Sequence, residues 1–174
     1  MNELFVGMLL VFLDVKVGIG QYTLDILPDF VGYSLMMRGL DAMGGQSPYF
    51  GKARPLAVAM MIGSAVLYVV EATAVTVHSQ FLSFCLGVLA MAASLLLSHW
   101  IVSGIRDVER RQNRDLEGEK LRAMWLYTAV IQGITCACGW IPLVGTMGSI
   151  AALVMGICFL AAFYRTMELY AGKK

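Results

Sequence analysis

The feature that most constrains this chain is a series of apolar runs that approach the thickness of a lipid bilayer. A helix that crosses the hydrocarbon core needs about 20 mostly apolar residues. Asp14 and Lys16 closely follow the first run, so a short, tilted or re-entrant first span is expected there. The sequence therefore predicts an all-α, polytopic membrane helix bundle that forms a single transmembrane domain over residues 1–174. The six predicted spans cover residues 4–18, 28–43, 55–74, 81–105, 121–140 and 142–164.

The composition also indicates a lipid-facing surface. Charged residues make up 14% of the chain and hydrophobic residues 59%, whereas a soluble domain typically carries about 25% charged residues. A soluble chain also needs polar residues to cover its core. We therefore expect the lipid bilayer to be the main partner of this surface. The formal net charge of +1 gives no argument for nucleic acid as a partner.

Prolines and small residues mark the predicted helices. Pro28, Pro55 and Pro142 stand at or next to the starts of the second, third and sixth spans, where the missing proline N–H would be unpaired anyway. Small residues four apart allow membrane helices to approach closely. Such pairs are Ala59 and Gly63, Ser83 and Gly87, and Ala152 and Gly156, the last in a span that also contains Gly148.

The distribution of lysine and arginine predicts the orientation of the spans. Basic residues cluster in residues 38–54, 106–122 and 165–174, which adjoin alternate connections and the C-terminal tail. The connections between spans three and four and between spans five and six have none, and the first connection has only Lys16. Because cytoplasmic loops are enriched in Lys and Arg, six spans with both termini in the cytoplasm are expected.

The fourth span is expected to continue as a helix beyond the membrane. There Asp107 is spaced to pair with Arg110 or Arg111 on one helix face. Residues 113–118 then have the composition of a polar turn.

Ionisable residues at membrane depth are costly and are candidates for function. The sequence predicts an outward-facing polar pocket for a small solute, lined by Glu71, Asp29, Asp14 and Gln132, whose carboxylates favour a cationic solute. Two structural alternatives stay open. Asp29 lies in a predicted first helical turn, where a carboxylate complements the helix dipole, and the Glu71 side chain is long enough to extend to the lipid–water interface.

Near the inner face, Arg38 and Asp41 are three residues apart, so the sequence predicts that they form a structural ion pair. His99 stands beside Trp100, a combination that is typical of the aromatic belt at a membrane interface.

Signatures of enzymes and metal sites are missing from the sequence. It contains no HExxH, G-x-S-x-G or Walker A motif. Its cysteines, at positions 85, 136, 138 and 158, lie in apolar runs, and no histidine nearby in sequence completes a zinc set. The sequence therefore predicts no catalytic residue, no metal and no cofactor, and favours a non-enzyme.

The segment DILPDFVGY at residues 25–33, followed by Gly39-Leu40 and by FGKAR at residues 50–54, resembles a group of small bacterial membrane proteins from clostridia-like Gram-positive genomes. Members of that group carry an LPDF-x-GY segment after a short first span. Their last span ends in an aromatic and basic tail, here Phe163-Tyr164-Arg165. The resemblance implies a bacterial plasma membrane and implies no activity, cofactor or catalytic residue.

Three functions are compatible with these features. In size and topology the chain is similar to the substrate-capture subunits of energy-coupling-factor vitamin transporters, which favours binding or transport of a small solute. The alternative is a non-catalytic accessory or scaffold subunit with a membrane-protein partner or a homo-oligomeric assembly. A membrane enzyme is the third hypothesis.

The predicted orientation can be tested by accessibility labelling of single cysteines introduced next to Lys52. This connection should be labelled only from the cytoplasmic side, and neutralising both Lys52 and Arg54 should weaken the orientation. Labelling of this connection from outside, in a protein that retains Lys52 and Arg54, would contradict the predicted topology.

Overall fold

The computed structural model describes residues 1–12, 16–19, 22–25, 29–72, 80–138 and 141–172. The predicted all-α architecture is confirmed, with six helices within these residues and a small β-hairpin after the first. In chain order the elements are α1 (Asn2–Phe12), β1 (Lys16–Ile19), β2 (Tyr22–Asp25), α2 (Asp29–Met43), α3 (Pro48–Ala72), α4 (Gln80–Gln112), α5 (Gly118–Cys138) and α6 (Pro142–Tyr170).

The chain forms two compact units, Met1–Leu97 and Ser98–Lys174, where the sequence predicts a single domain. The boundary falls within α4. The first unit therefore holds α1 to α3 and the first part of α4, and the second unit holds the rest of α4 with α5 and α6.

Three of the helices are long and apolar enough to cross a membrane. The qualifying segments within the described residues are Pro48–Val70 of α3, Phe84–Gln112 of α4 and Thr146–Tyr170 of α6. The first two helices are shorter than a span requires, since α1 has 11 residues and α2 has 15. The three long helices suggest a membrane protein.

The first predicted span is wrong in its second half. Helix α1 ends at Phe12, and the strands β1 and β2 pair in antiparallel fashion from Lys16 with Asp25 to Ile19 with Tyr22. The two strands are rich in β-branched and aromatic residues, which favour extended backbone. The apolar character of this stretch therefore belongs to a hairpin and not to a continued helix.

The predicted start of the third helix at Pro55 is also wrong. Helix α3 begins at Pro48 and contains Pro55 in its interior. The backbone N–H of Tyr49 donates to Oγ of Ser47 at 3.4 Å, as expected for a serine that precedes a helix. Pro48 thus occupies the first helical position, where proline is favoured, and Pro55, which no such residue precedes, does not. Helix α6 begins at Pro142 as predicted.

Glycines allow α1 and α2 to pack closely as antiparallel neighbours. A Cβ atom on Gly7 would lie 2.5 Å from the carbonyl oxygen of Gly32, and one on Gly39 would lie 2.8 Å from the backbone nitrogen of Leu4. The start of α1 thus faces the end of α2, and the middle of α1 faces its beginning. Buried side chains around this contact are Leu4, Met8, Met36 and Leu40.

The predicted pairs of small residues do not identify this contact. Within the described part of the chain, a Cβ atom on Gly63 or Gly87 would meet no atom within 4 Å. In the second unit, a Cβ atom on Gly148 would lie 2.5 Å from Oγ1 of Thr135, so α5 and α6 approach closely there.

Burial changes along the individual helices. In α4, Ile101 and Ile105 are buried, whereas Leu89 is 67% exposed. In α6, Phe163 is buried, whereas Ile150 is 63% exposed. In both helices the buried part adjoins the Lys- and Arg-rich residues, and the exposed part is apolar. An exposed apolar surface of this kind on a candidate span suits contact with lipid.

The close contact between α1 and α2 can be tested with Gly39→Ala. The new methyl group collides with the Leu4 backbone, so we expect a loss of about 1–3 kcal/mol in the free energy of unfolding, measured in detergent. Gly63→Ala is the matched control, because the site is open and alanine favours helix. Equal stability of the two variants would refute the contact.

Candidate functional site

A cluster of polar residues lies in the first unit near the start of α2. Asp29 is the first residue of α2, and its Oδ1 atom is buried. Tyr33 follows one turn later, so it lies close enough for electrostatic interaction with the Asp29 carboxylate. The Tyr33 hydroxyl shares a hydrogen bond with the Ser94 side chain of α4. This α2 polar cluster, formed by Asp29, Tyr33 and Ser94, links α2 to α4.

A groove of about 490 Å³ lies between α2 and α3 in the same unit. Next to it, the rings of Phe30 and Tyr68 pack edge to face with their centroids 5.8 Å apart. Within the described residues the lining side chains are apolar, and they are Phe30, Met61, Ile62, Ala65, Val66, Val69 and Val70. We call this feature the apolar groove.

The two main predicted carboxylates flank the apolar groove along the chain. Asp29 directly precedes Phe30, and Glu71 directly follows Val70. This adjacency is one of sequence, and the predicted polar pocket stays a prediction. Glu71 is the penultimate residue of α3, and the structure describes its backbone but not its side chain. Asp14 lies outside the described residues.

The fourth predicted pocket residue lies elsewhere in the chain. Gln132 is a half-buried residue of α5, in the second unit. Its role in a pocket with Asp29 and Glu71 stays a prediction.

The sequence interpretation did not select Phe30, Tyr33 or Ser94. The spacing of four between Asp29 and Tyr33 places both residues on one helix face, so this part of the cluster was open to inference. Ser94 comes from a distant helix, and no local pattern indicates its contact with Tyr33.

The predicted ion pair between Arg38 and Asp41 is replaced by another. The Asp41 carboxylate pairs with Arg54 of α3, with Nε and Oδ1 2.5 Å apart. Arg38 is exposed and forms no ion pair with the residues that the structure describes. The pair thus joins α2 to α3 across their short connection. Both side chains are about half exposed, so its contribution to stability is at most about 1 kcal/mol.

A second organised region lies in the second unit, at the connection between α4 and α5. The Oε1 atom of Glu109 accepts hydrogen bonds from the backbone N–H groups of Leu116, at 3.0 Å, and Gly118, at 3.4 Å. A side chain on Gly118 would collide with the Glu109 carboxylate. Leu116 is 1% exposed. Glu109 therefore holds the turn against α4 and caps the start of α5.

Ion pairs reinforce this α4–α5 connection. Arg111 pairs with Asp107 at 3.0 Å one helical turn away, which confirms one of the two predicted pairings. Arg106 of α4 pairs with Glu119 in the first turn of α5. These contacts fix the end of α4 relative to the start of α5.

The carboxylate of Glu117 connects the same region to α6. Its Oε1 atom lies 3.2 Å from Nζ of Lys120 and 2.6 Å from Nη2 of Arg165. Glu117 has a positive φ of 55°, which is uncommon for a residue with a side chain. The backbone conformation and the two cations thus hold one carboxylate at the junction of three helices.

An aromatic cluster lies next to this junction. Nε1 of Trp125 donates a hydrogen bond to Oγ of Ser98 at 3.0 Å. The His99 ring is tilted against the Trp125 ring, with centroids 4.7 Å apart. These contacts join the second half of α4 to α5.

No group of three or more His, Cys, Asp or Glu side chains suited to a metal ion occurs among the residues with described positions. Comparisons of the chain with protein-family models, with curated proteins and with solved structures give no match. The resemblance of residues 25–33 to the LPDF-x-GY group stays a prediction.

The role of Glu109 can be tested with Glu109→Ala. Loss of the carboxylate leaves two backbone N–H groups without this acceptor, so we expect the free energy of unfolding to fall by about 1–2 kcal/mol. Glu109→Gln retains an acceptor oxygen and should cost less. Thermal unfolding in detergent measures both, and an unchanged Glu109→Ala variant would exclude the capping role.

Proposed function

We propose that this chain is a multi-pass protein of a bacterial plasma membrane, with six membrane segments and cytoplasmic termini, that binds or transports a small organic cation. The proposed site is the apolar groove together with Asp29 and Glu71, which adjoin its lining residues in the sequence. The observation that carries the proposal is the position of both acidic residues directly beside residues that line the groove.

The chemistry of the groove favours an organic cation over an inorganic one. A hard metal ion takes six or more oxygen ligands, whereas the part of the groove lining that the structure describes consists of apolar side chains. An apolar body in the groove gains about 25 cal/mol for each square ångström removed from water. An ammonium group on that body would complement the neighbouring carboxylates.

The aromatic pair beside the groove supports the same ligand class. Phe30 lines the groove, and Tyr68 packs against it edge to face. Aromatic faces attract alkylammonium ions through their quadrupoles. Together, carboxylates, aromatic rings and aliphatic side chains suit an amine that carries alkyl or aryl substituents.

The lining also argues for binding over catalysis. Phenylalanine, methionine, isoleucine, alanine and valine side chains supply no general acid, general base or nucleophile. In this proposal Asp29 and Glu71 act through their charge alone, and the ligand is bound and released without chemical change.

The proposal is tested by ligand binding to the purified protein with Asp29→Asn and Glu71→Gln. We expect the wild-type protein to bind tetrapropylammonium in isothermal titration calorimetry. Loss of a charge-assisted contact is worth about 1.5–3 kcal/mol, so each variant should bind about tenfold more weakly or worse. Asp115→Asn is the control, because Asp115 lies in the α4–α5 connection and its Oδ1 contact to Glu117 N–H survives as an amide.

Two outcomes would overturn the proposal. The first is that the wild-type protein binds no alkylammonium, and the second is that both variants bind as tightly as the wild type. Native mass spectrometry after purification from its own membrane separates the hypotheses further. A stoichiometric protein partner without a bound solute would support the accessory-subunit alternative.

A further inference from the structure

The α4–α5 connection, taken here with the adjoining helix ends as residues 106–122, has a basic surface although its net charge is small. Residues 106–122 contain six Lys and Arg against five Asp and Glu, so their net charge is only +1. The folded contacts distribute these charges unevenly. Three of the carboxylates form ion pairs with cations, namely Asp107, Glu117 and Glu119.

The other two carboxylates of the connection are directed to backbone donors. Glu109 accepts from the N–H groups of Leu116 and Gly118. Oδ1 of Asp115 accepts from the N–H of Glu117 at 3.0 Å. All five acidic residues are therefore engaged in holding the connection together.

Three arginines take no part in these contacts through their side chains. Arg110, Arg114 and Arg122 are exposed, and their guanidinium groups form no ion pair within the described residues. The surface of the connection therefore presents cations, while its anions are held in internal contacts.

Glu109 brings these three arginines to one small region. Its carbonyl oxygen accepts from the Arg114 N–H at 3.3 Å, and its carboxylate holds Gly118, one helical turn before Arg122. Arg110 directly follows Glu109 in α4. Each of the three arginines therefore lies, along the chain, within about one helical turn of Glu109 or of a backbone N–H group that Glu109 binds.

The position of this region relative to the candidate spans selects its partner. The apolar segment Phe84–Gln112 of α4 ends at the connection. Arginines at the end of a membrane span lie at the depth of lipid headgroups, and basic residues there attract anionic lipids. Guanidinium groups also bind phosphate oxygens in bidentate fashion.

We infer that Arg110, Arg114 and Arg122 form a binding surface for the phosphate headgroups of anionic lipids. The inference is independent of the proposed solute site, which lies in the other unit. It depends on the contacts of residues 106–122 and on the membrane span that precedes them.

The test compares the protein in nanodiscs of phosphatidylcholine with and without phosphatidylglycerol. We expect phosphatidylglycerol to raise the unfolding temperature and to remain bound in native mass spectrometry. The triple variant Arg110→Gln, Arg114→Gln, Arg122→Gln should bind phosphatidylglycerol about a hundredfold more weakly. Its unfolding temperature in phosphatidylcholine alone should stay unchanged, because these side chains form no ion pair with any described part of the chain.

A matched control separates a specific surface from general charge attraction. The double variant Arg110→Gln, Arg114→Gln is compared with Arg38→Gln, Lys52→Gln, which removes two exposed cations from the first unit. Only the former should lose phosphatidylglycerol. Equal loss in both double variants would overturn the inference, and so would equal stabilisation of the wild type by inorganic phosphate in phosphatidylcholine nanodiscs.

A charge-preserving variant covers the case in which the glutamine variants fail to fold. Arginine-to-lysine changes at the same three positions keep the charge but remove the bidentate fork. We expect these changes to weaken phosphatidylglycerol binding severalfold. Wild-type binding in the lysine variant would overturn the assignment of the headgroup to these guanidinium groups.

Discussion

The structure depends on the need to satisfy backbone hydrogen bonds in an apolar environment. Lipid offers no donors or acceptors, so a chain with this hydropathy pairs its peptide groups within helices. The long helices α3, α4 and α6 follow from that constraint. Connections with many polar backbone groups are then restricted to places where side chains such as Glu109 supply the missing partners.

The same constraint explains why packing differs along the helices. Where charged residues are frequent, ion pairs and hydrogen bonds bring helices together, as between Glu117 and Arg165. Where the residues are all apolar, lipid tails satisfy the side chains as well as another helix would. The apolar parts of α4 and α6 are accordingly exposed.

Sequence patterns correctly predicted those features that depend on residues close together in the chain. The end of α2 at Met43, the pairing of Asp107 with Arg111 and the turn after α4 all follow from spacing and residue type over a few positions. The start of α3 was misplaced because Pro48 and Pro55 look alike by proline position alone. The contact of Ser47 with the helix start distinguishes them.

The same patterns did not predict contacts between segments that are far apart in the sequence. Asp41 pairs with Arg54, which follows the short connection between α2 and α3, and not with the arginine three residues before it on its own helix. Close helix approach occurs at Gly7 and Gly39, while the regularly spaced Gly63 and Gly87 are in the open. Spacing shows which glycines permit an approach, and only the fold shows which of them have a neighbour.

The antiparallel packing of α1 and α2 has a consequence for the proposed topology. In a bilayer, two antiparallel helices would contribute an even number of crossings, whether they traversed it completely or turned back partway. The start of α3 would then lie on the same side as the N-terminus in either case. The shortness of the first two helices would change how deep the pair penetrates, but it would leave the direction of each later crossing the same.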